Sequence, residues 1–153
     1  MKKLLFIFLL GGILGGCNDS PAEMEDVVDV GLLTQVIWKN ASDHSVSMQG
    51  TVLSVPAVTL PVGGEHVEVT GSIGRYVLLE DFLRNGFLTV RFDDGLYGGV
   101  FSSESAGELN PCKESNYRFV EVKDEYMKTV IYVYTYTFTN ADYEAAVARG
   151  PME

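Results

Sequence analysis

Histidine and cysteine are the scarcest reactive residues in this chain of 153, with two of each. Two cysteines are too few for a disulfide framework or a cysteine-built zinc site. His44 and His66 would need a further nitrogen or sulfur ligand to hold zinc, and neither His-x-His nor His-Glu-x-x-His spacing occurs. Basic residues are also few, 11 against 21 acidic ones, for a net charge of −10. That balance opposes nucleic-acid binding, which needs clustered Lys and Arg to displace counterions from phosphates. A phosphate-cradling loop is missing too: Gly71-Ser72-Ile73-Gly74 lacks the Gly-Lys-Ser/Thr ending and precedes a strand pattern. No long segment with a 3.6-residue period is available for crossover helices, which argues against βαβ units. What is present is material for a core, 46% hydrophobic and 11% aromatic residues in a length that suits one domain.

The first twenty residues read as an address. Lys2 and Lys3 form a basic n-region, and Leu4–Leu14 forms an apolar h-region. Eleven helical residues cover about 16 Å, roughly half a bilayer core, so the stretch is a secretory signal rather than a permanent span. The Leu14-Gly15-Gly16-Cys17 that follows resembles the lipobox of bacterial lipoproteins. The resemblance implies a diacylglycerol on the Cys17 sulfur, cleavage before Cys17 and acylation of the new N-terminus. Several acyl chains anchor stably where one would bind marginally. Loss of residues 1–16 takes away two lysines and no acid, leaving 137 residues with 9 basic and 21 acidic side chains, net −12. Such a chain is repelled by anionic lipid, so the anchor has to supply the attachment. Residues 17–31 then form an acidic tether. Asp19, Glu23, Glu25, Asp26 and Asp29 carry no compensating base, and its fourteen residues after Cys17 reach at most about 46 Å. Acidic residues just after the lipidated cysteine resemble a surface-export signal of Bacteroidota-type lipoproteins, here interrupted by Ser20-Pro21-Ala22.

From Leu32 onward, β-branched and aromatic runs alternate with Gly, Pro, Asn and Asp. The predicted strands are 33–39, 46–55 (with a break near Gly50), 58–62, 66–70, 76–79, 87–92, 96–101, 117–122 and 126–138. Their spacing predicts an all-β, antiparallel β-sandwich, immunoglobulin-like or similar, over residues 32–139, with a short helix and tail over 140–153. In Phe87–Phe92, Leu88, Val90 and Phe92 share a face, and Asp93-Asp94-Gly95 supplies a hairpin turn. Gly98-Gly99 predicts a bulge or bend in the returning arm. Thr139 followed by Asp142 matches a capping box for a helix through Ala148, stopped by Gly150-Pro151. Phe92-Asp93-Asp94-Gly95, Asn110-Pro111-Cys112 and the tail from Tyr134 to Tyr143 look like those of small uncharacterised lipoproteins of Bacteroidota. That resemblance implies a compact β-sandwich on a lipid tether and assigns no catalytic role.

Several residues carry competing readings. Tyr132, Tyr134, Tyr136 and Phe138 recur at strand spacing, as a ring platform about 7 Å apart for stacking on sugars or as one face of the core. A long aromatic strand fits the interior better, since exposing those rings would create a large apolar patch. The inverse arrangement would bury Ile131 and Val133. Trp38, the single tryptophan, is likewise a packing anchor first and a ligand platform second. His44 and His66 read as surface histidines. Cys112 is the one cysteine left to the fold; it reads as a partly buried small side chain, with an intermolecular disulfide as its functional alternative. Asp93-Asp94-Gly95, Asp81, Glu104 and Glu108 do not form an Asp-x-Asp-x-Asp-Gly calcium loop, and sequence spacing selects no carboxylate pair for hydrolysis. Asn40-Ala41-Ser42 matches a glycosylation sequon.

These readings converge on a lipid-anchored envelope β-sandwich, an outer-membrane lipoprotein facing the surface or the periplasm. It is expected to bind a glycan or a protein partner without chemistry, with no cofactor, no metal and no catalytic residue. A fimbria-like structural subunit is the alternative, and an envelope hydrolase with converging histidines and acids the third reading. Residues 40–45, 93–95 and 102–113 are the loops best placed for contact.

Overall fold

The structure, a computed structural model, describes residues 31–51, 57–73, 79–84, 86–93, 95–126 and 128–153. The signal, Cys17 and nearly all of the tether lie outside these residues. The chain forms β1 (Gly31–Asn40), β2 (Val46–Gly50), β3 (Val58–Leu60), β4 (Glu65–Ile73), α1 (Leu79–Leu83), β5 (Phe87–Phe92) and β6 (Tyr97–Ser102). A one-turn 3-10 helix (Glu114–Asn116) then leads into β7 (Arg118–Asp124), β8 (Thr129–Phe138) and α2 (Asn140–Arg149). Sheet A has the order β4-β1-β8-β7 and sheet B the order β3-β2-β5-β6. The β-sandwich with a C-terminal helix expected from the strand spacing is therefore the observed architecture.

One pairing departs from an all-antiparallel reading. β1 and β8 run parallel in the middle of sheet A, in register from Gly31↔Thr129 to Asn40↔Phe138. Parallel neighbours need a long connection, and here nearly the whole chain intervenes. This pairing aligns Val36, Trp38 and Asn40 with Tyr134, Tyr136 and Phe138 on one face, and all six are buried. Sheet B closes the core with Val46, Met48, Leu60, Leu88, Val90 and Phe92. The inward face of β5 is thus the one its alternation predicts.

Helix α2 starts where its capping box lies: the Asp142 carboxylate accepts Thr139 N and Thr139 Oγ1, both at 2.8 Å. Ala146 and Asp142 turn inward from α2. β4 runs on to Ile73, past the break expected after residue 70, β3 stops at Leu60, and β7 continues to Asp124; two further boundaries also differ. Leu79 opens a helix rather than ending a strand, because Leu79 and Leu83, one helical turn apart, both reach the core. Tyr126 stands in the β7–β8 turn, 94% exposed, with Lys128 at φ 50°.

Gly98 and Gly99 produce no bulge: β5 and β6 stay in register through Arg91↔Gly98 and Val90↔Gly99. Their reason is space. A Cβ on Gly98 would overlap Val90 O and come within 2.7 Å of Met152 Sδ, and one on Gly99 would lie 3.3 Å from Arg149 Nη2. The missing side chains let the end of α2 and the tail close over β6.

Candidate functional site

The core takes three of the four predicted ring contacts. Trp38 is fully buried and Tyr134 and Tyr136 nearly so, while Tyr132 is half-buried. Trp38 Nε1 donates to Tyr117 Oη at 3.3 Å, and that hydroxyl donates to Pro111 O at 2.7 Å. Tyr136 Oη donates to Asp142 Oδ1 at 2.8 Å. Burial raises the proton affinity of both tyrosines far above the ordinary phenol range, and for Tyr136 the adjacent Asp142 adds to it. Rings held this way present no face to a sugar. Tyr132 stacks on Phe119 of β7, with ring centroids 5.9 Å apart.

His66 stacks on Trp38 at 6.0 Å between centroids and meets Glu68 Oε1 at 3.0 Å. His44 pairs through Nδ1 with Asp93 Oδ2 at 2.5 Å and stacks on Tyr143 at 3.5 Å. Each histidine thus has its own carboxylate. Among the described residues no group of three His, Cys, Asp or Glu converges as a metal site. Asn40 is buried, with Nδ2 within reach of the His44, Leu60 and Pro61 carbonyls. The nitrogen that glycosylation would use is engaged inside the fold.

All three expected contact loops are tied down by hydrogen bonds. Ser45 N donates to Asp93 Oδ1 at 3.0 Å and Asp43 N to Asn140 Oδ1 at 2.9 Å, which joins loop 40–45, the β5–β6 turn and α2 at one corner. In residues 102–113, buried Asn110 donates to Ser102 O and Ser105 O and accepts Cys112 N at 2.7 Å. A cleft of about 310 Å³ lies between this loop and α1, with Cys112 in its wall and Glu80, Arg84, Lys113 and Glu114 at its rim. Arg84 is tied to Glu80 at 2.6 Å. Desolvation pushes the Cys112 thiol up to about 11, so it is held as the neutral thiol, a poor nucleophile.

The two outward sheet faces differ in their balance of polar and apolar residues. On sheet B, Thr59, Ser47 and Arg91 stand side by side, as do Gln49 and Thr89; Val100 beside Thr89 and Phe87 at the start of β5, 59 and 47% exposed, are the apolar members of a mainly polar outward face. On sheet A the corresponding row is Val69, Gln35, Val133 and Val120. Ile37 with Val67 extends it on one side and Leu33, Ile131 and Val122 on the other. At the two edges Val67, Val69, Val120 and Val122 are 39, 58, 41 and 44% exposed. Four strands and three rows span roughly 14 Å on a side, with aliphatic residues at every position but Gln35, Thr135, Arg118 and Gly71. The strand patterns of His66–Thr70 and Arg118–Asp124 hold the signal for it, alternating valines with charged residues. Alternation alone assigns the valines to the core, yet here His66 and Glu121 lie on the inner face and the valines on the outer one.

Compared with protein-family models, with curated proteins and with solved structures, the chain matches none.

Proposed function

We propose that this chain is a lipid-anchored envelope module that acts by docking a partner protein on the outer face of sheet A, with no chemical step. The observation that carries the reading is the contrast between the two outer faces, mainly polar on sheet B and mainly aliphatic on sheet A. An exposed, mainly apolar face marks an interaction surface, and β-branched side chains on it complement another apolar protein surface better than a sugar hydroxyl. Sugar-binding faces need accessible rings, and Trp38, Tyr134 and Tyr136 are inside. The lipobox-like Leu14-Gly15-Gly16-Cys17 supports membrane attachment through Cys17, and the tether enters the domain at Gly31, beside the β7–β8 turn.

Two measurements test this reading. Fractionation of cells should place the chain with the outer membrane and its Cys17→Ser variant in the soluble fraction, and protease shaving of intact cells should separate surface display from a periplasmic location. A photo-crosslinking residue at Val69 or Val133 should capture one discrete partner that the same residue at Thr89 or Thr59 does not. Equal labelling from both faces would sink the docking assignment, and a Cys17→Ser chain that stays membrane-bound would sink the anchor.

A further inference from the structure

We infer that β7 is the edge at which a second copy of this chain adds its own β7, antiparallel about a two-fold axis through Glu121. The two sheets have four edges, β4 and β7 in sheet A and β3 and β6 in sheet B. In sheet B, β3 is three residues long. The other edge, β6, carries the C-terminal tail, with Met152 N donating to Leu96 O at 2.8 Å and Arg149 Nη2 to Gly98 O at 3.2 Å. In sheet A, β4 follows β3 across a short turn, touches it, and carries Gly71. β7 has seven residues, keeps unbroken register with β8 from Arg118↔Thr135 to Asp124↔Thr129, and is exposed at every position but its last. It contains no proline or glycine. A long regular edge of this kind offers a row of backbone donors and acceptors to another strand, and proteins normally blunt or cover such an edge.

The side chains name the occupant. In a chain of net charge −10, β7 is neutral: Arg118 and Lys123 against Glu121 and Asp124. Turned about Glu121, the strand Arg-Phe-Val-Glu-Val-Lys-Asp meets itself with Arg118 opposite the partner's Asp124 at both ends. Val120 then faces the partner's Val122, and these four positions share the outer face of the sheet. A carboxylate accepts several donors at once, so the bond from Tyr126 N to Asp124 Oδ1 is compatible with this pairing. On the inner face Phe119 meets the stem and ammonium of the partner's Lys123, a cation–π geometry. The two Glu121 carboxylates face each other, and each has Lys123 beside it on its own strand, at 3.3 Å, and the partner's Lys123 on the diagonal. A two-fold contact is self-complementary and closes at two copies, so it does not propagate into fibres. Both outer faces of sheet A end on one side of the joined sheet. The inference rests on the edge and not on the docking face, so either stands if the other fails.

The test uses the full chain, purified in detergent. Light scattering should give the mass of a dimer. Arg118→Asp, which sets like charges against each other at both ends, should raise the dimer dissociation constant roughly tenfold. Adding Asp124→Arg should restore it, a rescue that loss of folding would not permit. Glu121→Cys should form disulfide dimers under mild oxidation faster than Glu65→Cys on the opposite edge, with the unsubstituted chain as background. A monomer at about 100 µM, a double variant that stays as weak as Arg118→Asp, or equal crosslinking at the two edges would overturn the proposal.

Discussion

Tyr136 shows how a single buried hydroxyl ties two elements together. Its ring belongs to the core of β8, and its oxygen donates to Asp142, the same carboxylate that caps α2. Tyr136→Phe keeps the ring and removes the donor, leaving a nearly buried carboxylate one bond short. We expect a loss of about 1–2 kcal/mol in urea unfolding. Cys112 gives a second residue-level expectation. Its thiol ordinarily ionises near 9.0 and is raised to about 11 in the fold, chiefly by desolvation. The unfolded chain therefore releases this proton first as pH rises. The stabilisation is fully present below pH 9 and is lost between 9 and 11. Tyr117 and Tyr136, raised by the same burial, prolong the decline at higher pH. Urea midpoints should be level from pH 7 to 8.5 and fall above about pH 9, and Cys112→Ala should flatten the first part of that fall. A Cys112→Ala profile that falls as steeply as the unsubstituted one would reject burial of this thiol as the cause. At this scale the sequence was informative about identity and weak about environment: Trp38 and the tyrosines were recognisable as core or platform, and only their partners decide between the two.

Elements were legible where a local rule acts alone. The α2 capping box needs only Thr139 and Asp142 three residues apart, and the alternation of β5 needs only its own residues, so both appear as expected. Gly98-Gly99 is a different case, because the cause is a remote tail. Gly98→Ala would drive a Cβ into Val90 O and toward Met152. It should cost about 1–3 kcal/mol in thermal or urea unfolding, typical of overpacking. Unchanged stability would show that the space at Gly98 is not needed. Strands β4 and β7 invert their pattern: His66 and Glu68 face inward with valines outward. Edge strands reach the rim of the core, where a polar residue such as His66 can bury its ring against Trp38 and keep its nitrogen on Glu68. Val69→Lys, at a position 58% exposed, should accordingly shift stability by no more than about 0.5 kcal/mol while abolishing partner capture at that face. A large drop in stability would show that the face is covered within the chain itself.

At the scale of the molecule, the net charge of −10 disfavours contact with polyanions, and the outer face of sheet A gathers exposed valines of β4 and β7 on one surface. Composition, strand spacing and the N-terminal pattern were sufficient by themselves for an all-β sandwich, its C-terminal helix and the expectation of a lipid anchor. Each of these depends on local sequence: turn residues, period-two alternation, a cap, an apolar stretch of limited length. The neighbours of each strand, the parallel β1–β8 pair and the choice of outward face were decided only by tertiary structure. The physical reason is that a strand with valines on one side and charges or tyrosines on the other can bury either side, depending on what lies across from it. In sheet A, burial of Trp38, Tyr134, Tyr136 and Phe138 against sheet B fills the interior, and the period of two then sends Ile37, Ile131 and Val133 to the outside.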